Sequence, residues 1–325
     1  MAGPPCRGVG GPGRSQTLVR VRAVNPPIAG GLCCDSSVDD NEPERLREVA
    51  EHLVAGAADY VRRRRAELFG REPAAESDAV RTKTSPTDPV TLADTETEQL
   101  IREQLARLRP GEAILGEEGG ATLAGGAVRW VVDPIDGTVN FLYDIPSFAV
   151  SLAAQVDGTS VAGAVADVRG GQIYSAAIGL GAWEVAADGQ RRELSCSRVT
   201  DLPMALVGTG FSYSPPRRAA QAALVARLLP EIRDVRRLGS AALDLCMVAA
   251  GRLDAHYEHG LQEWDWAAGA LIAAEAGAVV ILPAQSDSGA GLVLAAAPGV
   301  AAELVAALDR FGGLGPLVGS NRLNR

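Results

Sequence analysis

The chain has 325 residues, 47% hydrophobic and 22% charged, which is enough for one large core or two smaller ones. It contains no run of eighteen or more apolar residues able to span a bilayer, and its net charge of −9 is the wrong sign for a broad nucleic-acid footprint, which needs Lys and Arg against phosphates. Five cysteines without CxxC spacing and three histidines disfavour a disulfide framework and a zinc centre, so a reducing cytoplasm is expected, with any metal held by oxygens: magnesium, manganese or calcium.

Residues 1–40 are rich in Gly, Pro and Arg, carry no acidic residue before Asp35 and show no helical or strand period, so a disordered extension is expected there. They lack the apolar core of a secretory signal; a transit peptide or a misplaced start codon remain as alternatives. Gly8, Gly10 and Gly13 satisfy GxGxxG, but no strand precedes them and Pro12 interrupts them, which makes the match a decoy. Order is expected from Asn41, an N-cap before Pro43, with Leu46, Val49, Ala50, Leu53, Val54, Ala57 and Val61 as one helical stripe. A second helix is expected over about 92–108, ended by Pro110-Gly111, burying Leu92, Leu100, Ile101, Leu105 and Leu108, with Asp94 in its first turn.

From Val128 onward, apolar runs are punctuated by Asp157-Gly158, Gly170-Gly171 and Asp188-Gly189, which predict antiparallel hairpins. Helices are then expected near 216–229, 240–250 and 265–276, alternating with strands at 235–238, 253–257 and 278–282. A meander followed by alternation implies a mixed α/β fold in layers, running to about residue 315 before a tail at 316–325.

Of 31 Lys plus Arg, a single residue is lysine, Lys83. Where nearly every basic position is arginine, the surviving lysine either marks a need for a compact ammonium or is a chance remnant. It opens the polar loop Lys83-Thr84-Ser85-Pro86-Thr87-Asp88 that leads to Asp94. Gly116-Glu117-Glu118 follows a short apolar run, again placing carboxylates at the end of an expected strand. The strongest signal is Trp130-Val131-Val132-Asp133-Pro134-Ile135-Asp136-Gly137-Thr138. An apolar strand there delivers two carboxylates three residues apart, Pro134 fixes the backbone between them, and Gly137 and Thr138 offer unencumbered N–H groups to a phosphate. Glu263-Trp264-Asp265-Trp266 places Asp265 at a helix start, where a cap is the ordinary role. Each segment alone is weak, but together they supply the oxygens a divalent cation requires, and carboxylates so gathered repel one another without one.

The chain resembles the inositol monophosphatase family over about residues 41–315, through GEE at 116–118, WVVDPIDGT at 130–138, EWDWAAG at 263–269 and the KxSPxDxVTxxD loop at 83–94. The resemblance implies a layered α-β-α-β-α sandwich, a homodimer, and a site between two lobes. It implies that Glu117, Asp133, Asp136, Asp265 and the Ile135 carbonyl bind two or three Mg2+ ions. Asp94 and Thr138 would orient the attacking water, with Lys83 nearby, while Gly239, Ser240, Ala241 and Glu258 would meet the inositol ring beside Gly137, Asp136 and Asp265. The implied reaction is lithium-sensitive hydrolysis of inositol 1-phosphate, or a related polyol phosphate, by metal-activated water. Val139 and Asp144 depart from the family's commoner choices beside the DGT motif.

Lys83 follows no GxxxxG, which excludes a Walker lysine, and no nucleophile elbow accompanies His256 and His259, which are expected on a strand or loop surface. The rival enzymes are siblings acting on fructose 1,6-bisphosphate, histidinol phosphate or an adenosine 3′,5′-bisphosphate; Glu258 favours a polyol. The rival of another class is a binding protein that contacts the transcription machinery. No membrane partner is expected.

Overall fold

The structure is a computed structural model and describes residues 42–70, 80–83, 89–122, 125–284 and 289–317. The disorder expected for residues 1–40, the Asn41 cap, Cys6, Cys33, Cys34, the loop residues 84–88 and the tail beyond 317 lie outside the described residues.

In chain order the elements are α1 (Pro43–Phe69), β1 (Val80–Thr82), β2 (Pro89–Thr91), α2 (Leu92–Leu108), β3 (Ala113–Gly116), β4 (Gly120–Ala121), β5 (Val128–Asp136) and α3 (Thr138–Tyr143). The antiparallel stretch follows as β6 (Ala149–Val156), β7 (Thr159–Asp167), β8 (Ile173–Ala177), β9 (Ala182–Val185) and β10 (Arg191–Glu193). The alternating part comprises β11 (Leu206–Thr209), α4 (Pro215–Leu228), β12 (Asp234–Arg236), α5 (Ala241–Ala249), β13 (Ala255–His259), α6 (Glu263–Glu275), β14 (Val279–Ile281), β15 (Leu292–Ala296) and α7 (Pro298–Arg310).

Among the described residues these form five layers. Helices α1 and α2 cover one face of an eight-stranded sheet ordered β10-β9-β8-β7-β6-β5-β3-β4. Its other face packs on α5 and α6, which also cover a five-stranded sheet ordered β12-β11-β13-β15-β14, and α7 and α4 close the far side. Four apolar clusters fill the four gaps between layers. The fold is therefore the mixed, layered α-β-α-β-α arrangement expected from the sequence. Where the middle helices approach the large sheet most closely, bulk is excluded: a Cβ on Gly163 of β7 would stand 3.1 Å from the Cβ of Ala268 on α6.

The hairpins at 157–158, 170–171 and 188–189 join β6 to β7, β7 to β8 and β9 to β10. At the first, Asp157 and Gly158 both adopt positive φ (49° and 76°), as a two-residue hairpin turn demands. Pro43 opens α1 behind Glu42, and every stripe residue named above is buried except half-buried Val49.

Two expectations fail. Leu92 and Leu108 are exposed at 40% and 48%, because the buried face of α2 is partly polar: Asp94, Thr97 and Glu98 lie inward with Ala93, Ile101 and Leu105. His256 and His259 are not surface residues but are buried at 0% and 2%. Strand β13 is interior to its sheet, between β11 and β15, and its two faces are covered by α5 and by the segment at Gly313, whose carbonyl lies 2.8 Å from His259 Nε2.

Candidate metal centre and active site

Strand β5 carries Asp133 and Asp136 to the edge where the layers meet. Its pairing with β6 shifts register between them, so the strand bends at Pro134 instead of sending the carboxylates to opposite faces. Gly137 follows with φ 95°, and a Cβ there would lie 3.0 Å from the carbonyls of Gly239 and Ser147, so backbone conformation and packing both require glycine. From the other half of the molecule come Asp265, three residues into α6, and Glu258 on β13.

Asp133, Asp136 and Asp265 each bring a carboxylate oxygen within 4.8 Å of the others. Burial, and then the charges of Glu117, Asp136 and Asp265, push Asp133 well above the carboxylate range. Asp265 is raised likewise by burial and then by Asp136 and Glu117. Asp136 rises to about 6 through burial, partly offset by hydrogen bonds from the Ser240 hydroxyl (2.6 Å) and the Ala242 N–H (2.7 Å). Three buried or half-buried, mutually repelling carboxylates are costly without a cation, and their hard oxygens suit a divalent one. The donor set therefore fits a metal. Asp265 keeps its capping role as well, since its Oδ2 accepts from the Gln262 N–H at 2.6 Å.

Glu117 sits at the rim of this cluster on the loop after β3. Lys83 donates to Glu117 at 2.7 Å and to Glu118 at 2.5 Å, and its pKa is raised by these two carboxylates against the opposing effect of burial. The loop is held from below by Glu98, which accepts from the N–H groups of Glu118 (2.7 Å) and Gly119 (2.9 Å) and from Arg102 (2.7 Å). One turn earlier on the same helix, Asp94 is fully buried. It accepts the hydroxyl proton of Thr91 at 2.5 Å and the Thr91 N–H at 2.9 Å, and Thr138 Oγ1 lies 3.1 Å from its other oxygen. Burial raises Asp94 to about 7.

A cleft of about 160 Å³ opens beside the cluster, lined by Asp136, Gly137, Gly239, Ser240, Ala241, Glu258, Asp265 and Arg237, among others. A larger cavity of about 660 Å³ lies between α6 and residues 282–284 with a mainly apolar lining, and it has no group of carboxylates.

A model of the inositol monophosphatase family matches residues 42–312. The chain belongs to the inositol monophosphatase family. It is 63% identical over 290 residues to the inositol-1-monophosphatase of Mycobacterium leprae, covering 87% of this chain and 99% of that protein. A Pasteurella multocida protein named Nus factor SuhB is 38% identical over 68% of this chain and 82% of its own length. The solved structure of Mycobacterium tuberculosis SuhB superposes with a TM-score of 0.72 at 58% identity, covering 85% of this chain and all of that one. As a member of the inositol monophosphatase family, the protein is a phosphatase.

Of the site residues named from the sequence, Asp136, Gly137, Gly239, Ser240, Ala241, Glu258 and Asp265 line the cleft, Asp133 completes the carboxylate cluster, and Lys83, Asp94, Glu117, Ile135 and Thr138 lie outside that lining. Ser240 spends its hydroxyl on Asp136 while its oxygen also accepts from Leu243 N–H as the cap of α5. Asp144 closes α3 in a left-handed conformation (φ 58°) and pairs with Arg65 of α1 (3.3 Å) and Arg169 (3.2 Å), which anchors the departure at that position. Sequence reasoning missed Glu98, whose signal was its four-residue spacing from Asp94. It also missed Asn140, whose amide donates to the carbonyls of Ser147 and Leu238 (both 2.7 Å) and so ties the DGT turn to the 238–240 segment.

Proposed function

We propose that this phosphatase hydrolyses inositol 1-phosphate, or a closely related polyol phosphate, with two or three magnesium ions held by Glu117, Asp133, Asp136, Asp265 and the Ile135 carbonyl. The observation that carries the proposal is the Asp133, Asp136 and Asp265 cluster, of which Asp136 and Asp265 line a cleft together with a further carboxylate, Glu258. A divalent cation bound there would polarise the phosphate and acidify the attacking water. The protein's own groups do the rest. Asp94, through the Thr138 hydroxyl, offers that water an acceptor for its proton. Ser240 and the Ala242 N–H hold Asp136 at one orientation, and Lys83 holds Glu117. Glu258 faces the part of the cleft left for ring hydroxyls, opposite Arg237. Direct attack by water needs no covalent phosphoenzyme, and no side chain is assigned as a nucleophile.

The reading extends to a lithium-sensitive homodimer in a reducing cytoplasm, supported by the family and by the unpaired Cys196 and Cys246; no described helix is long and apolar enough to cross a membrane. The deciding experiment is phosphate release with magnesium over inositol 1-phosphate, fructose 1,6-bisphosphate, histidinol phosphate and adenosine 3′,5′-bisphosphate. Inositol 1-phosphate should be turned over best and activity should vanish on chelation; full activity after exhaustive chelation would sink the metal assignment. A second role in contacting the transcription machinery draws on the name of the Pasteurella relative, and co-purification with RNA polymerase tests it.

A further inference from the structure

On the inner wall of the cleft, β13 carries His256 and Glu258 two residues apart, so both side chains leave the same face of the strand. The neighbouring strand β11 pairs Gly208 with His256, and Gly210 follows just beyond it. A Cβ on Gly208 would stand 3.1 Å from His256 Nδ1, and one on Gly210 would collide with the Glu258 carboxylate. The space that side chains at 208 and 210 would fill is taken by an imidazole and a carboxylate.

The third member is Asp244 of α5, 1% exposed. Its Oδ2 lies 3.4 Å from His256 Nδ1, and His256 Nε2 lies 3.8 Å from Glu258 Oε2. Both His256 nitrogens and Asp244 Oδ1 are buried without a hydrogen-bond partner. Three buried polar atoms without a partner are expensive, and an apolar residue would fill a purely structural position better. Burial lowers His256 to about 3, so its ring is neutral, with one N–H and one lone pair. Asp244 is raised by burial, then by the charges of Glu258 and Asp136, against the effect of Arg237. A carboxyl proton on Asp244 would go to Nδ1, 3.4 Å from Oδ2, and leave the Nε2–H facing Glu258.

We propose that Asp244 and His256 are positioning residues for Glu258: a buried carboxyl–imidazole pair that orients this carboxylate toward the hydroxyls of the substrate. The proposal rests on the reading that Glu258 faces the polyol.

The test is steady-state kinetics of the full chain with magnesium on inositol 1-phosphate and on p-nitrophenyl phosphate, which has no ring hydroxyls. Glu258→Gln, His256→Leu and Asp244→Ala should each raise KM for inositol 1-phosphate about tenfold relative to the aryl phosphate, the scale of one hydrogen bond to a charged group. Asp244→Asn, which keeps a donor toward Nδ1, should escape most of that loss. Adding His256→Leu to Glu258→Gln should cost less than about twofold more, because no carboxylate remains to orient. Equal losses on both substrates for His256→Leu, or full additivity with Glu258→Gln, would overturn the positioning role while leaving Glu258 in place. If Glu258→Gln treats the two substrates alike, the polyol assignment itself fails and the proposal falls with it. Should His256→Leu not fold, the contrast between Asp244→Ala and Asp244→Asn carries the same decision.

Discussion

The hydroxyl of Thr138 stands between two acceptors, Asp94 Oδ1 at 3.1 Å and the Ile135 carbonyl at 3.0 Å, and has one proton to give. Were the Ile135 carbonyl engaged by a cation, the proton would go to Asp94 and the Thr138 oxygen would be left to accept from the attacking water. Asp94→Asn and Thr138→Val should each lower kcat by about 10²–10⁴, the usual worth of general-base assistance. Acting as one unit, the pair should lose little more in the double mutant than in the worse single mutant. Kinetic losses that multiply in the double mutant would dissolve the dyad.

Asp133→Asn should behave differently, because Asp133 lies within the carboxylate cluster. It removes a candidate ligand, so the magnesium concentration giving half-maximal effect should rise along with the fall in kcat, whereas the Asp94 and Thr138 variants should keep most of their metal affinity. Calorimetric titration with magnesium separates the two kinds of variant; indistinguishable isotherms would count against the ligand assignment.

Glu98 makes no contact with the cleft, yet it receives the two N–H groups that hold the loop bearing Glu117. Glu98→Ala should deprive those donors of their acceptor; exposed Gly119 can turn to water, so the loss should be about 1–3 kcal/mol, mainly from the half-buried Glu118 N–H. By loosening Glu117, it should also weaken magnesium binding about 10–100-fold, as losses of a ligand's supporting contacts commonly do. Urea denaturation and a magnesium titration read the two effects; unchanged metal affinity would confine Glu98 to a stabilising role.

Proton and cation compete for the same oxygens. Asp136 is raised to about 6 and Asp94 to about 7, and Asp133 and Asp265 are raised well above the ordinary carboxylate value, all mainly by burial. A carboxyl whose folded pKa lies above its unfolded value of about 4 contributes stability below that value and loses it as pH rises through the folded one, with a slope of about 1.4 kcal/mol per pH unit per proton. His256 and His259, lowered by burial to about 3 and 4, act oppositely: their contribution is present above about 6.5 and is lost as pH falls from there. Between pH 6.5 and 8.5 only the carboxylates titrate among these groups, so the chelated protein should melt at lower temperature as pH rises, and the gain in Tm on adding magnesium should grow. Melting curves in EDTA and in magnesium check this; a magnesium increment independent of pH would contradict it.

The turns and the apolar periods were legible because they are local: Asp157-Gly158 announces its hairpin, and the Leu46-to-Val61 stripe its helix. The two carboxylates of β5 were legible because Asp133 and Asp136 sit three residues apart in an otherwise apolar strand. Glu98 was not, since a helical period says which residues share a face and not that this face will be roofed by a loop's N–H groups. That is also why Leu92 and Leu108 were wrongly placed inside. The Ser240 contact to Asp136 spans 104 residues, and the space that Gly208 and Gly210 leave for His256 and Glu258 arises from strand pairing, which no local pattern records.

Lys83 is the only lysine in a chain with 30 arginines, and it lies against Glu117 and Glu118 at the rim of the cluster. Every other side-chain cation here except a protonated histidine is a guanidinium, so a label incorporated through lysine reports from this one place. In a protein grown with 15N-enriched lysine, a single ammonium signal would answer to whatever takes Glu117 away from it. Reductive methylation would mark only this amine and the chain's α-amino terminus. The molecule thus carries its own spectroscopic probe of site occupancy, with no residue introduced to create it.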